Sequence, residues 1–156
     1  MSHRLYKRIE SIVLKVSEQL AIRKYQPVTC NPNLRLYKYT QGQSFGRHFD
    51  DSNKIDLSGN ASFSELQHVK DAQTEVTVLF YLSSCRGGAT RFHLPHGKSN
   101  GKRKSGGGNA GVAFTPEEGA VLLHVHGDHC LEHEAEPVLE GVKYVLRTDI
   151  VYGITK

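Results

Sequence analysis

The sequence predicts a mainly β protein built from two facing sheets, a jelly roll, with a helix at its N-terminus. Segments rich in β-branched and aromatic residues recur along the chain, at residues 34–39, 75–82, 120–125 and 142–152. Glycine and proline mark the turns between these segments, as at Gly87, Gly88 and Pro116. Many short strands with tight turns and few helices are typical of sandwiches and barrels, so we expect two sheets packed face to face.

Length and composition predict one globular domain spanning residues 1–156. A chain of 156 residues can bury a single core but is too short for two ordinary domains. The sequence contains no apolar run of about 18 residues and no apolar core of a signal peptide. We therefore expect a cytoplasmic or nuclear protein with no membrane association, and the sequence gives no indication of its oligomeric state.

The N-terminal segment predicts an amphipathic helix. Apolar residues recur at helical spacing between charged ones, at Leu5, Ile9, Ile12, Val13, Val16 and Leu20. Such a stripe needs an apolar surface, which the outer face of a sheet would provide. We therefore assign residues 1–26 to a supporting helix, which Pro27 and the cluster at residues 31–33 bring to an end.

Three later segments predict the main strands. Residues 75–82, EVTVLFYL, are apolar on both faces and predict a central strand. Residues 120–125 predict a buried strand, and the final strand at 142–152 carries Lys143 and Arg147 on one face. Between the first strands, residues 51–71 predict a long loop with a helical turn.

The positive charge of the chain is concentrated in one segment. The formal net charge is +4, and a glycine-rich stretch at residues 95–111 carries four cations and no acid: Lys98, Lys102, Arg103 and Lys104. This composition predicts a flexible loop. Residues 98–104 would fit phosphate contacts, so nucleic acid stays open as a partner.

The cysteines indicate free thiols. The sequence has an odd number of cysteines, and none of them show CxxC spacing: Cys30, Cys85 and Cys130. This pattern argues against a disulfide framework and against a zinc–thiolate site.

A candidate metal site lies at the end of residues 35–50, RLYKYTQGQSFGRHFD. On a strand, side chains two residues apart project to the same side, so His48 and Asp50 could share one ion. These residues supply two of the three ligands of a facial triad, which leaves coordination positions open on a non-haem Fe(II). The third ligand must be a histidine from elsewhere in the chain.

The best candidate for the third ligand is His133. Lys143 follows ten residues later, across a turn near Val138 and Leu139. If the flanking segments pair as antiparallel strands, the turn sets His133 and Lys143 opposite one another, with the ammonium near the metal. Other histidines surround this candidate, and we assign them as strand residues (His124 and His126) and as a loop residue (His129).

These residues belong to a longer ordered set of motifs across residues 33–152. In chain order the set contains Tyr39, Gly42, His48 and Asp50, then GGATRF at residues 87–92, then Gly127, Asp128, His133, Pro137, Val138, Gly141 and Lys143. The set resembles the Fe(II)- and 2-oxoglutarate-dependent oxygenases, in their prolyl-4-hydroxylase-like branch. The resemblance implies a double-stranded β-helix over residues 33–152, with the metal inside one mouth.

The resemblance also implies the cofactors and the roles of the residues. Fe(II) would be held by His48, Asp50 and His133, with 2-oxoglutarate and O2 as cosubstrates and ascorbate as a further candidate. Lys143 would anchor the distal carboxylate of 2-oxoglutarate, and Tyr39 and Thr90 would donate hydrogen bonds to it. Arg147, on the same strand face as Lys143, could contact cosubstrate or substrate, or pair with Asp149.

The implied reaction is hydroxylation of a protein or peptide substrate, with proline as the favoured target and with release of succinate and CO2. Two alternatives stay open. The first is oxidative demethylation of nucleic acid, although the arginine pair typical of that branch is not clearly present. The second is a non-enzymatic jelly-roll binding module, against which the intact ligand set and Lys143 both argue.

Overall fold

The computed structural model describes residues 1–19, 25–58, 61–94 and 111–154, with only the backbone of residues 61 and 62. The elements, in chain order, are α1 Ser2–Gln19, β1 Gln26–Cys30, β2 Arg35–Tyr39, β3 Phe45–His48, a 3₁₀ helix Ala61–Leu66, β4 Lys70–Tyr81, β5 Arg86–Gly87, β6 Thr90–His93, β7 Gly111–Phe114, β8 Val121–Val125, a 3₁₀ helix Gly127–His129, β9 His133–Ala135, β10 Val138–Glu140 and β11 Lys143–Ile154.

Two antiparallel sheets form the body of the protein. The larger sheet has the strand order β1, β11, β4, β8, and β2 pairs with the first half of β11. The smaller sheet has the order β3, β9, β6, β7, and the short strands β10 and β5 form a separate pair. One pocket is lined by side chains from both sheets, so the two sheets face one another. This arrangement confirms the predicted mainly β fold with two facing sheets.

Helix α1 packs on the outside of the larger sheet, as predicted. Tyr6, Ile9 and Val13 are buried in one apolar cluster with Val76 and Ile150 of the central strands. Side chains of β4 alternate between the two faces of the larger sheet. Even-numbered residues such as Val76 face the helix, and odd-numbered residues such as Thr77 face the pocket. The larger sheet is therefore covered by the helix on one face and by the smaller sheet on the other.

The predicted helix was too long, and part of its predicted apolar face was wrong. The described helix ends at Gln19, residues 20–24 lie outside the described residues, and Gln26 already begins β1. Ile12 is 48% exposed, because the buried stripe runs through Tyr6 and the predicted residues Ile9 and Val13. The sequence analysis did not predict β1, which pairs with the end of β11.

Two predictions about strands were also wrong. Residues 120–125 were predicted to be a buried strand, but β8 is the edge strand of the larger sheet, and Val121 is 37% exposed. His133 and Lys143 were predicted to lie opposite one another on paired strands. His133 begins β9 in the smaller sheet, whereas Lys143 begins β11 in the larger one, so only the facing of the sheets brings them together.

The two predicted loops have different outcomes. The loop at residues 51–71 contains the predicted helical turn as a 3₁₀ helix, and Leu57, Phe63 and Val69 anchor it in a second apolar cluster. The basic segment at residues 98–104 lies outside the described residues. Within the described part of the chain, no helix has the length and the apolar character needed to cross a membrane.

Candidate metal centre

All seven predicted site residues line a single pocket between the two sheets. They are Tyr39, His48, Asp50, Thr90, His133, Lys143 and Arg147. The two ends of the pocket differ. At one end, imidazoles surround the carboxylate of Asp50, and at the other end lies the buried ammonium of Lys143.

The imidazole end is formed where β3 pairs with β9. His48 and His133 are direct partners in the strand register, and their ring centroids lie 4.2 Å apart. Nε2 of His48 lies 3.6 Å from Oδ1 of Asp50, and Nε2 of His133 lies 3.7 Å from Oδ2. One donor atom from each of the three residues lies within 4.8 Å of the others. The three side chains can therefore converge on one ion, although Asp50 itself lies just beyond the end of β3.

Backbone carbonyls fix the orientation of both imidazoles. Nδ1 of His48 lies 2.9 Å from the carbonyl of Gly46, and Nδ1 of His133 lies 2.9 Å from the carbonyl of Leu131. Because a carbonyl only accepts, each Nδ1 carries the proton, and each Nε2 keeps a lone pair for a metal. Burial lowers the pKa of His133, which favours the neutral form that binds metals.

Asp50 is held as an ionised carboxylate. The Thr77 hydroxyl donates to Oδ2 at 2.7 Å, and the Arg147 guanidinium lies 2.9 Å from the same oxygen. Burial by itself would raise the pKa of Asp50, but Arg147, Thr77 and the nearby imidazoles outweigh it and hold the pKa at about 2. Since both Thr77 and Arg147 contact Oδ2, Oδ1 is the oxygen with room for an ion.

Arg147 contacts acidic partners on both sides. Its NH2 pairs with Asp50, and its Nε lies 3.7 Å from Oδ1 of Asp149, the pairing that the sequence offered as an alternative. Its guanidinium thus lies between two carboxylates at the edge of the pocket. The predicted contact of Arg147 with cosubstrate or substrate stays a prediction.

The other end of the pocket contains Lys143. This residue is 3% exposed, and its Nζ donates to the carbonyl of Gly88 at 2.7 Å. Nζ lies 5.5 Å from the ring centroid of Tyr39 and 5.6 Å from that of Tyr81. Among the described residues, no carboxylate forms an ion pair with Lys143, and burial lowers its pKa to about 8.

The paired glycines of the GGATRF motif allow this close packing. Gly88 has a φ of 64°, and a Cβ there would lie 3.3 Å from Cδ of Lys143. Gly87 has a φ of 75°, and a Cβ there would lie 2.6 Å from the carbonyl oxygen of Pro137. Glycine is therefore required at both positions by the left-handed backbone and by the lack of space.

The sequence analysis missed Thr77 and His124, which line the pocket, and Tyr81, which contacts the pocket residue Thr90. The Tyr81 hydroxyl forms a 2.8 Å hydrogen bond with that of Thr90, and its odd-number alternation with Thr77 on β4 could have predicted this position. His124 was assigned only as a strand residue. It is the register partner of Thr77 across β4 and β8, and no local pattern specifies that pairing.

Comparisons with known proteins identify the family of the chain. Residues 34–148 match the family described as the 2OG-Fe(II) oxygenase superfamily. The proteins named probable prolyl 4-hydroxylase 6 and 7 of Arabidopsis thaliana are 30% and 28% identical to the chain. Both alignments cover 90% of the chain, but 49% and 44% of the relatives, so the chain spans about half their length.

Solved structures share the fold at low identity. The viral collagen prolyl hydroxylase of Paramecium bursaria Chlorella virus-1 aligns with a TM-score of 0.56 and 17% identity, covering 97% of this chain and 74% of that one. A Pseudomonas putida prolyl-4-hydroxylase aligns with a TM-score of 0.53 and 16% identity, covering 91% of this chain and 60% of that one. These likenesses identify the two-sheet fold as the double-stranded β-helix. The chain thus belongs to the 2OG-Fe(II) oxygenase superfamily.

Proposed function

We propose that this domain is an Fe(II)- and 2-oxoglutarate-dependent dioxygenase that hydroxylates a protein or peptide, with proline as the favoured target. One observation carries the proposal. A single pocket combines two imidazoles and a carboxylate at one end with a buried ammonium, unpaired among the described residues, at the other. A metal-chelating dicarboxylate matches this combination.

His48, Asp50 and His133 would hold the iron. Two neutral imidazoles and one carboxylate suit Fe(II) and leave coordination positions open for a chelating cosubstrate and O2. The donor atoms fit this role, because both Nδ1 atoms already bind backbone carbonyls and Oδ2 of Asp50 already binds Thr77. Metal binding would therefore use Nε2 of each imidazole and Oδ1 of Asp50.

Lys143 would anchor the distal carboxylate of 2-oxoglutarate. A buried ammonium without an anion is costly, and a carboxylate beside it offsets that cost. Thr90 and Tyr39, which line the same pocket, would add polar contacts to this carboxylate. Because the ion pair would form inside a largely water-excluded pocket, it would orient the cosubstrate as well as hold it.

The bound iron, 2-oxoglutarate and O2 would supply the oxidising chemistry, in which one oxygen atom of O2 enters succinate as 2-oxoglutarate loses CO2 and the other enters a C–H bond of the substrate. The protein would hold the ligands, orient the cosubstrate and keep water out of the pocket. No acid–base pair is needed for these tasks. Ascorbate is proposed as an accessory reductant that keeps the iron ferrous.

Proline is proposed as the target because the similar proteins are named prolyl 4-hydroxylases. The loop at residues 51–71 follows Asp50 directly, and it would form part of the substrate entrance. The experiment is to incubate the iron-loaded chain with 2-oxoglutarate and peptide pairs that differ only in proline or alanine. We expect succinate together with a product heavier by one oxygen atom, from the proline peptides only.

Three outcomes would argue against this function. Absence of both succinate formation above background and 2-oxoglutarate binding would reject the dioxygenase. Turnover of methylated nucleic acid, with binding that weakens steeply as salt is added, would instead favour the demethylase. A binding module would keep its affinity for its partner after Asp50→Ala, whereas an oxygenase would lose turnover.

A further inference from the structure

The proposed iron ligands leave one buried imidazole of the pocket without a role. The side chain of His124 is 9% exposed, and neither of its ring nitrogens has a hydrogen-bond partner among the described residues. Its Nε2 lies 3.6 Å from Oδ2 of Asp50, beyond the range of a hydrogen bond. A buried polar group left unpaired is costly, so this position indicates a ligand.

A buried thiol lies next to this imidazole. Cys130 is 7% exposed, and its Sγ accepts the backbone N–H of Asp50 at 3.2 Å. The same Sγ lies 4.0 Å from Nδ1 of His133, the nitrogen that donates to the carbonyl of Leu131, so a metal held by both would break that hydrogen bond and leave the ring proton on Nε2. His124, Cys130 and His133 each offer one donor atom, and these atoms lie within 4.8 Å of one another. One ion could therefore contact all three.

We propose that His124, Cys130 and His133 form a second metal-binding set that takes Zn(II) or a similar thiophilic divalent ion and shares His133 with the iron set. A thiolate and two imidazoles are ligands that Zn(II) prefers, whereas Fe(II) oxygenase chemistry uses imidazole and carboxylate. Binding releases the thiol proton of Cys130 to solvent. Burial raises the pKa of this thiol, and the bound metal together with the Asp50 N–H directed at the sulfur would offset that cost. Water completes the tetrahedral coordination.

The cysteine spacing had argued against a zinc–thiolate site, because that rule looks for paired cysteines, whereas this set combines one cysteine with two histidines. Here His124 comes from the edge strand β8, and Cys130 follows the second 3₁₀ helix. The ligands meet because β9 of the smaller sheet lies against β8 of the larger one, as the 4.5 Å separation of the His124 and His133 ring centroids shows. Only the tertiary structure produces this set.

The shared histidine has a consequence that rests on the proposed function. Both sets fit within one small volume around His133, and two divalent cations there would repel each other across a single carboxylate. We therefore expect a metal ion in one of the two sets to exclude a metal ion from the other. Zn(II) in the second set would withdraw His133 from the iron set and block iron loading.

The test uses Co(II) as a spectroscopic stand-in for Zn(II) in the full chain. Wild-type protein should show a thiolate-to-cobalt charge-transfer band and tetrahedral d–d absorption at one equivalent. The band should be lost in Cys130→Ser, a near-isosteric change, and in His124→Phe. It should remain in Cys85→Ser, which removes a thiol outside the set, and in His48→Ala, since His48 belongs only to the iron set. Circular dichroism of each variant checks the fold.

A competition measurement tests the shared ligand. Zn(II) can also displace Mn(II) directly from imidazole and carboxylate ligands, so the apparent Kd for Mn(II) in the presence of Zn(II) should rise at least about tenfold more in wild-type protein than in Cys130→Ser. Absence of a thiolate band in wild type, its survival in Cys130→Ser or its loss in His48→Ala would overturn the second set. Equal zinc competition in both proteins would also overturn it. The Co(II) bands do not depend on turnover, so a failed hydroxylase assay would leave this result unaffected.

Discussion

The two ends of the pocket differ in whether the protein itself balances the buried charge. At the metal end, the carboxylate of Asp50 is already balanced by Arg147 and by a hydrogen bond from Thr77. At the other end, Lys143 is 3% exposed, and among the described residues its ammonium has only the carbonyl of Gly88 as a hydrogen-bond partner. The first end is preorganised by its own residues, while the second is left with a charge that a ligand must balance.

This difference shows how one pocket can hold two ligands of different kinds. Preorganised donors keep Asp50 ionised and oriented, so a metal finds its ligands in position. An uncompensated cation instead lowers the stability of the free protein and strengthens the binding of an anion, because binding removes the cost of burying the charge. The predictions below test each side of this comparison.

The largest effect is expected from Asp50→Ala, which removes the only carboxylate of the proposed iron set. Affinity for Mn(II), measured by calorimetry, should fall more than about 100-fold, and 2-oxoglutarate turnover should fall with it. The control is His68→Ala, an exposed histidine of the loop at residues 51–71, which should bind Mn(II) like wild type. Equal Mn(II) affinity in Asp50→Ala would show that the metal binds elsewhere.

Lys143→Met should weaken 2-oxoglutarate binding by about 100-fold, since truncating one partner of a buried charge pair costs about 2–5 kcal/mol. Mn(II) affinity should hardly change, because the charge removed lies at the other end of the pocket. Calorimetric titration of each ligand measures both effects. The contrary result, in which Mn(II) binding falls as much as 2-oxoglutarate binding, would mean that the two ends are not independent.

The unpaired ammonium should also make stability depend on pH. The pKa of Lys143 falls from 10.5 to about 8 on folding, so between these values the unfolded state binds the proton that the folded state has lost. The free energy of unfolding should therefore rise with pH in this window, by at most about 3 kcal/mol. Urea unfolding of wild type and Lys143→Met at pH 8 and pH 10 isolates this contribution by difference. Saturating 2-oxoglutarate should suppress this rise in the free energy of unfolding. An identical pH dependence of unfolding in wild type and Lys143→Met would contradict the assignment to Lys143.

Thr77→Val should have a smaller effect at the metal end. The change keeps the shape of the side chain but removes the hydroxyl that donates to Asp50 at 2.7 Å, while Arg147 remains. Loss of such a supporting contact typically costs about tenfold or more in metal affinity. Thr74→Val on the same strand is the matched control, because its hydroxyl binds the backbone of Asn53 instead. Equal losses of Mn(II) affinity in both variants would indicate a general effect of destabilising β4.

Tyr81→Phe should have the smallest effect. It removes the 2.8 Å hydrogen bond to Thr90 but keeps the aromatic ring near Lys143. A net contribution of about 1 kcal/mol per hydrogen bond predicts a roughly fivefold change in 2-oxoglutarate affinity. Tyr6→Phe removes a comparable bond, to the carbonyl of Pro27 on the helix side, and should leave cosubstrate affinity unchanged. A similar change in both variants would assign the effect to stability alone.

Local patterns in the sequence were sufficient for much of the fold. The apolar residues on both faces of EVTVLFYL predict β4 as a central strand, and the structure confirms it between β11 and β8. The apolar stripe of the first helix predicts its packing on a sheet, which is also confirmed. Predictions failed where an element has little periodicity of its own, as with the five residues of β1, which are held in place by pairing with β11.

The sequence by itself determined the chemistry available, namely the His48 and Asp50 pair, the later His133 and Lys143, and the glycines between them. Tertiary structure decided which of these groups meet. In the folded chain, His48 pairs with His133 across two strands and Arg147 contacts Asp50. His124, to which the sequence analysis gave no role in the site, also lies near Asp50. The physical reason is that side-chain alternation is a local property of a strand, whereas register and the facing of sheets depend on contacts between residues far apart in the chain.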